Sequence, residues 1–179
     1  KSLLSMDLRT KSVLSQRDVK RVSAHVQSIS TVQDMVKERI DSPSSGQDIE
    51  VAEMLQRLIK GLGSVKSGVS VEFEGEEFSA NARTASSLAV IVTEVLFNAL
   101  SDCRSSVTVR LSRDGEGLGK IAITDDRPDS NEEEAGDATG QSSSGGGTLV
   151  QFLARADFKR EVAYRRVEDT FEAEISFPL

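Results

Sequence analysis

The sequence predicts an α+β protein: a helical hairpin that dimerises into a four-helix bundle, followed by an α/β sandwich with helices on one face of a mixed sheet. Three observations carry this. An apolar seam in steps of three and four runs from Val19 to Ile40, an apolar helical stretch occupies 82–101, and short alternating runs flank that stretch on both sides.

Taken in order, Leu4, Leu8, Val13 and Leu14 mark the tail of a first helix that turns near Ser15 and Gln16. Val19, Val22, Val26, Ile29, Val36 and Ile40 then form a narrow stripe, with Gln33 filling one seam position. So narrow a seam wants a partner helix. The segment "DSPSSGQD", 41–48, breaks the periodicity and separates a hairpin domain, 1–42, from a second domain, 48–179. Asp48 is the expected cap of a helix with Ala52, Leu55, Ile59 and Leu62 on one face, ending at Gly63. Val69 to Phe73 alternates as a strand, and "SVTVRLSRDGEGLGKIAIT" reads as two strands around a turn rich in Gly and Asp. An irregular stretch from Asp125 to Gly147 precedes a helix from about Thr148 to Ala156 and two closing strands, "REVAYRRV" and "TFEAEISFPL".

Composition narrows the function classes. At 37% hydrophobic and 28% charged residues, with no continuous apolar run of spanning length and no signal-peptide pattern, the 179 residues read as a cytoplasmic protein without direct membrane contact. A formal net charge of −7 argues against nucleic acid, which needs a basic surface to displace counterions. One Cys and one His cannot supply a four-ligand zinc site. Cys103 is expected to be a small packed thiol at a helix end.

Within the 82–101 helix, "TEVLFNAL" places Glu94 and Asn98 four residues apart, hence side by side on one face. The pair either forms part of a ligand site or satisfies neighbouring backbone groups. "GGGT", Gly145 to Thr148, leads into the following helix, and taken alone such a Gly-Ser tract reads as flexible loop.

These parts, in this order, resemble the ATP-binding domain of sensor histidine kinases, of the superfamily that includes gyrase, Hsp90 and MutL (the GHKL type). The first forty residues resemble the dimerisation hairpin of the same kinases, with "SLL" late in its first helix as in the HWE and related classes. The resemblance implies that Glu94 positions water or acts as a base, and that Asn98 helps hold Mg on the nucleotide phosphates. It further implies that Asp125 accepts from the adenine amino group, and that Gly145, Gly146, Gly147 and Thr148 line the phosphates of ATP. It implies a homodimer through residues 1–40 and a response-regulator receiver domain as partner. The phosphoacceptor histidine is expected upstream of Lys1. His25, in the second helix, is expected to be a surface or bundle-flanking residue.

Departures accompany the resemblance. After Asp125 the chain reads "DDRPDS" where the family has glycines, Asp102 stands where a basic residue follows the asparagine, and no tryptophan is present. Asp125, Asp126, Asp129, Glu132, Glu133, Glu134 and Asp137 face one local base, Arg127, so a triphosphate would meet charge of its own sign. Residues 127–144 are expected to be mobile. Three functions follow. The resemblance favours an ATP-dependent protein-histidine kinase core that passes its phosphoryl group to a receiver aspartate. The alternatives are an ATP-independent phosphotransferase or response-regulator phosphatase, and a non-enzymatic dimeric scaffold.

Overall fold

A computed structural model of the chain describes residues 15–40, 48–63, 65–115, 117–128, 146–167 and 169–179. The first hairpin helix, the 41–47 break, the acidic stretch from Asp129 and Gly145 lie outside the described residues.

Helix α1 spans Gln16–Ile40 and opens on Ser15, whose hydroxyl accepts from Asp18 N (3.1 Å). A two-residue strand, β1 (Ile49–Glu50), leads into α2 (Val51–Leu62). The expected Asp48 cap is not formed. Glu50 holds the N-cap position, and its carboxylate is turned away to accept from Phe78 N (2.9 Å) and Ser79 Oγ (3.2 Å). The reason is the pairing of β1 with β3 (Ser79–Ala80), from which the helix starts directly.

Between them lies β2 (Ser70–Gly75), and after β3 comes α3 (Ala82–Asp102), capped by Asn81 Oδ1 accepting from Thr84 N at 2.9 Å. Strands β4 (Ser106–Arg113) and β5 (Leu118–Asp125) form the expected hairpin, closed by Asp114 Oδ1 accepting from Leu118 N (2.8 Å). Helix α4 (Gly146–Leu153) runs into a π-helical turn, Ala154–Phe158, which Lys159 ends in a left-handed conformation (φ 57°). Strands β6 (Ala163–Val167) and β7 (Thr170–Pro178) complete a sheet of order β2-β4-β5-β7-β6. Only β2 and β4 are parallel, which makes the sheet mixed.

One face of the sheet buries Val107, Val109, Leu111, Ile121, Ile123, Ala173, Ile175 and Phe177; Leu88, Ile91, Val92 and Leu96 of α3 and Met54, Leu55 and Leu58 of α2 complete the core. Each of these side chains larger than Ala173 contributes about 1.5–3 kcal/mol by leaving water. Gly119 is required where it stands, because a Cβ there would meet the Phe177 ring of the paired strand at 2.3 Å. By length and composition α3 could cross a membrane, but 78% of its apolar window is buried inside this core. Cys103 is buried at the C-cap of α3, as expected.

Candidate functional site

Helix α1 determines the surroundings of the Glu94–Asn98 pair. It buries Ala24, Ser28, Val32 and Met35, and the complementary face, Val19, Val22, Val26 and Ile29, is left exposed. Residues 17, 21 and 25 stand one turn apart on α1 and meet α3 in reverse order, so the two helices run antiparallel. Arg17 Nη2 lies 3.1 Å from Asp102 Oδ1, Arg21 Nε 3.6 Å from Glu94 Oε1, and His25 Nε2 3.1 Å from Glu94 Oε2. Arg21 also lies over the Phe97 ring, 5.7 Å from its centroid. The Arg17 pair is half exposed and contributes little. The groups on Glu94 matter more, because that carboxylate is fully buried.

Glu94 is therefore occupied at both oxygens. Asn98 Nδ2 donates to Oε1 at 3.3 Å, the Arg21 charge faces the same oxygen, and His25 faces the other, at an angle short of a good hydrogen bond. Burial pushes the Glu94 pKa up, but the imidazole, the Arg21 charge and the Asn98 amide outweigh it and hold the group below the usual carboxylate range. Tyr164 of β6 lies within reach of this field. Burial and the Glu94 charge push its phenol up to about 12, so it stays neutral.

Asp125 ends β5 with its side chain 1% exposed. Arg127, two residues on, donates from its backbone N (3.0 Å) and Nε (2.8 Å) to Oδ1, and from Nη2 (2.6 Å) to Oδ2. The same guanidinium lies over Phe171 of β7, 4.0 Å from the ring centroid, and its Nη1 is 3.6 Å from Asp102 Oδ2. Burial opposes its charge, yet Asp125 and Asp102 together raise its pKa. The second aspartate of "DDRP" is structural: Asp126 accepts from the backbone N of Arg104 (2.9 Å), Ser105 (3.0 Å) and Ser106 (3.2 Å), pinning the α3–β4 turn to the end of β5. Desolvation pushes the Asp126 pKa up, but the Ser105 hydroxyl, which donates to Oδ2 at 2.6 Å, and these backbone donors hold it well below the usual carboxylate range.

The structure thus joins the sequence-derived residues in two groups. Glu94 and Asn98 lie under α1, and Asp125 is tied to the C-terminal end of α3 through Arg127 and Asp102. Gly146, Gly147 and Thr148 open α4, with Gly147 half-buried and Thr148 exposed; Gly145 lies outside the described residues. His25 is corrected. It packs on the central carboxylate because α1 docks along α3, whereas the apolar seam alone suggested a bystander. Arg21, Tyr164 and Phe171 were not anticipated either. A signal existed for two others: Asp102 and Arg127, noted separately as departures, are each other's partners.

Asp125 and Glu94 do not suit ATP as they are arranged. The Asp125 acceptors face Arg127 and both Glu94 oxygens face α1; the Asn98 amide nitrogen is engaged by Glu94, and its oxygen, the atom a hard cation would use, is not part of that bond. Among the described residues no cluster of three or more His, Cys, Asp or Glu could hold a metal ion.

No protein-family model matches this chain, and no curated protein does. Solved structures do. The histidine kinase domain of the Erythrobacter litoralis EL346 blue-light activated histidine kinase matches with a TM-score of 0.74 at 18% identity, over 89% of this chain and 75% of that one. The fold is that of a histidine kinase core. The longer EL346 chain matches at 0.74 and 19% over 90% of this chain, which spans 49% of its length. Full-length ShkA, solved in complex with AMPPNP, matches at 0.59 and 13%, over 92% of this chain and 39% of that one. The histidine-kinase fold accounts for the mixed sheet and its helical layer.

Proposed function

We propose that this chain is a two-component signalling module that keeps the histidine-kinase fold and works without ATP, as a phosphotransferase between a histidine N-terminal to Lys1 and a receiver-domain aspartate. The observation that carries the reading is the engagement of both Asp125 oxygens by three donors of Arg127. Both oxygens already carry donors, so a ligand that needs the two of them must displace Arg127. In the transfer itself, the aspartyl-phosphate P–O bond breaks, a P–N bond forms on the imidazole, and the carboxylate departs while the imidazole loses a proton. The domains are the hairpin, 1–42, and the sandwich, 48–179, acting as a homodimer through residues 1–40 in the cytoplasm. The exposed α1 stripe supports that assembly.

One observation favours the ATP-dependent kinase instead: Glu94 and Asn98 share a face in a fold that ShkA presents with AMPPNP. For that activity α1 must release Glu94, and Arg127 must release Asp125. The test uses the chain extended upstream. Incubated with a labelled, phosphorylated receiver domain, it should take up label without ATP, while labelled ATP with Mg should transfer nothing. ATP affinity should be no better than about 0.1 mM, roughly −5.5 kcal/mol. Labelling from ATP together with submicromolar binding would establish the kinase reading.

A further inference from the structure

Arg127 sits on its partners as a ligand sits in a site. Its Nε and Nη2 reach both oxygens of Asp125, its Nη1 faces Asp102, and its plane lies over the Phe171 ring at 4.0 Å. Tyr164, stacked on Phe171 with centroids 5.9 Å apart, extends that aromatic floor. The receiving groups come from α3, β5, β6 and β7, and the guest comes from the loop that leaves β5. A buried carboxylate beside an aromatic face receives a flat cation through paired N–H donors and the ring's negative face.

We propose that Asp125, Asp102 and Phe171 form a binding site for a planar amidinium or guanidinium group, which Arg127 fills in cis. Arg127 is then a tethered competitor of any flat ligand with an N–H-rich edge. A tether this short gives an effective concentration on the order of millimolar or above, so a free ligand at micromolar concentration is shut out. The inference deepens the ATP-independent reading, on which it rests, by naming what occupies the place at Asp125.

The test titrates benzamidine, and separately adenosine, into the wild-type chain and Arg127→Ala by calorimetry, with near-UV circular dichroism to confirm folding. Arg127→Ala should bind benzamidine at least about tenfold more tightly than wild type, and methylguanidinium should compete. Arg127→Lys keeps a cation without the flat fork and should also gain binding, which covers the case in which the alanine variant does not fold. The double variant Asp125→Asn, Arg127→Ala should lose the gain. Equal benzamidine affinity in wild type and every folded single variant overturns the inference and leaves the ATP-independent reading standing. Micromolar adenosine binding by wild type overturns both. Adenosine binding confined to Arg127→Ala supports the inference and shows that the site also takes an amino-substituted ring.

Discussion

His25 of α1 and Glu94 of α3 meet at 3.1 Å, Nε2 to Oε2, which sets the chain's single histidine on a fully buried carboxylate. With Arg21 on the other oxygen, this contact joins α1 to the centre of the domain. Glu94→Ala removes the anion and strands the cationic partner in a largely buried place. The expected loss is about 3 kcal/mol, measured by urea unfolding, with faster hydrogen exchange along α1. A loss below about 0.5 kcal/mol would show that α1 is held by its apolar face alone.

Acid should weaken the same contact. The folded Glu94 pKa lies below its ordinary 4.5, so its contribution is fully present above that value and is lost as pH falls through the folded pKa. Arg21, His25, Asn98 and Tyr164 face the group, and of these only the first three favour its charge. Asp157, held low by Ser87 and Arg83, adds stability of the same sign. The melting temperature should therefore fall as pH drops below about 4.5, and Glu94→Gln should flatten part of that fall. An unchanged profile in the variant would remove Glu94 from the acid response.

Asn98 is half-buried, and its amide nitrogen donates to Glu94 over a long 3.3 Å. Because Arg21 and His25 remain on the carboxylate, Asn98→Ala should cost about 1 kcal/mol and change nucleotide affinity little. Thermal unfolding beside an ATP and Mg titration reads both effects. Abolition of tight Mg-dependent binding would instead identify Asn98 as a ligand-facing group.

Val19, Val22, Val26 and Ile29 are 56%, 57%, 60% and 47% exposed along one line of α1. Four apolar side chains at coiled-coil spacing are expected to close against the same stripe of a second copy. Light scattering should give a dimer at micromolar concentration, and Val22→Asp with Val26→Asp a monomer. A wild-type monomer, unchanged by restoring upstream residues, would overturn the assembly.

Gly119→Ala should be costly although the change is one methyl group. The new Cβ would enter the Phe177 ring at 2.3 Å, and that ring also packs on Phe78 and Phe158. Overpacking of this kind costs about 1–3 kcal/mol, readable by urea unfolding.

The sequence by itself determined the parts whose cause is local. The β5 burial pattern alternates residue by residue, α3 buries almost every apolar position, and Glu94 lies beside Asn98, because strand and helix geometry impose periods of two and 3.6 on any chain. The short β1–β3 pair was not legible, since two residues carry no period. Tertiary structure alone decided which face of α1 turned inward. The apolar seam is the conspicuous feature of that helix, yet the domain buries Ala24, Ser28, Val32 and Met35, with Arg21 and His25 beside them. It also decided that Asp102 and Arg127 compensate each other and that Arg127 lies on Phe171. Such pairings join residues far apart in the chain, with no periodic relation between them. Only the packing of α3 against the sheet, which brings the end of one element to the end of another, creates the buried, low-dielectric place where those charges must be matched.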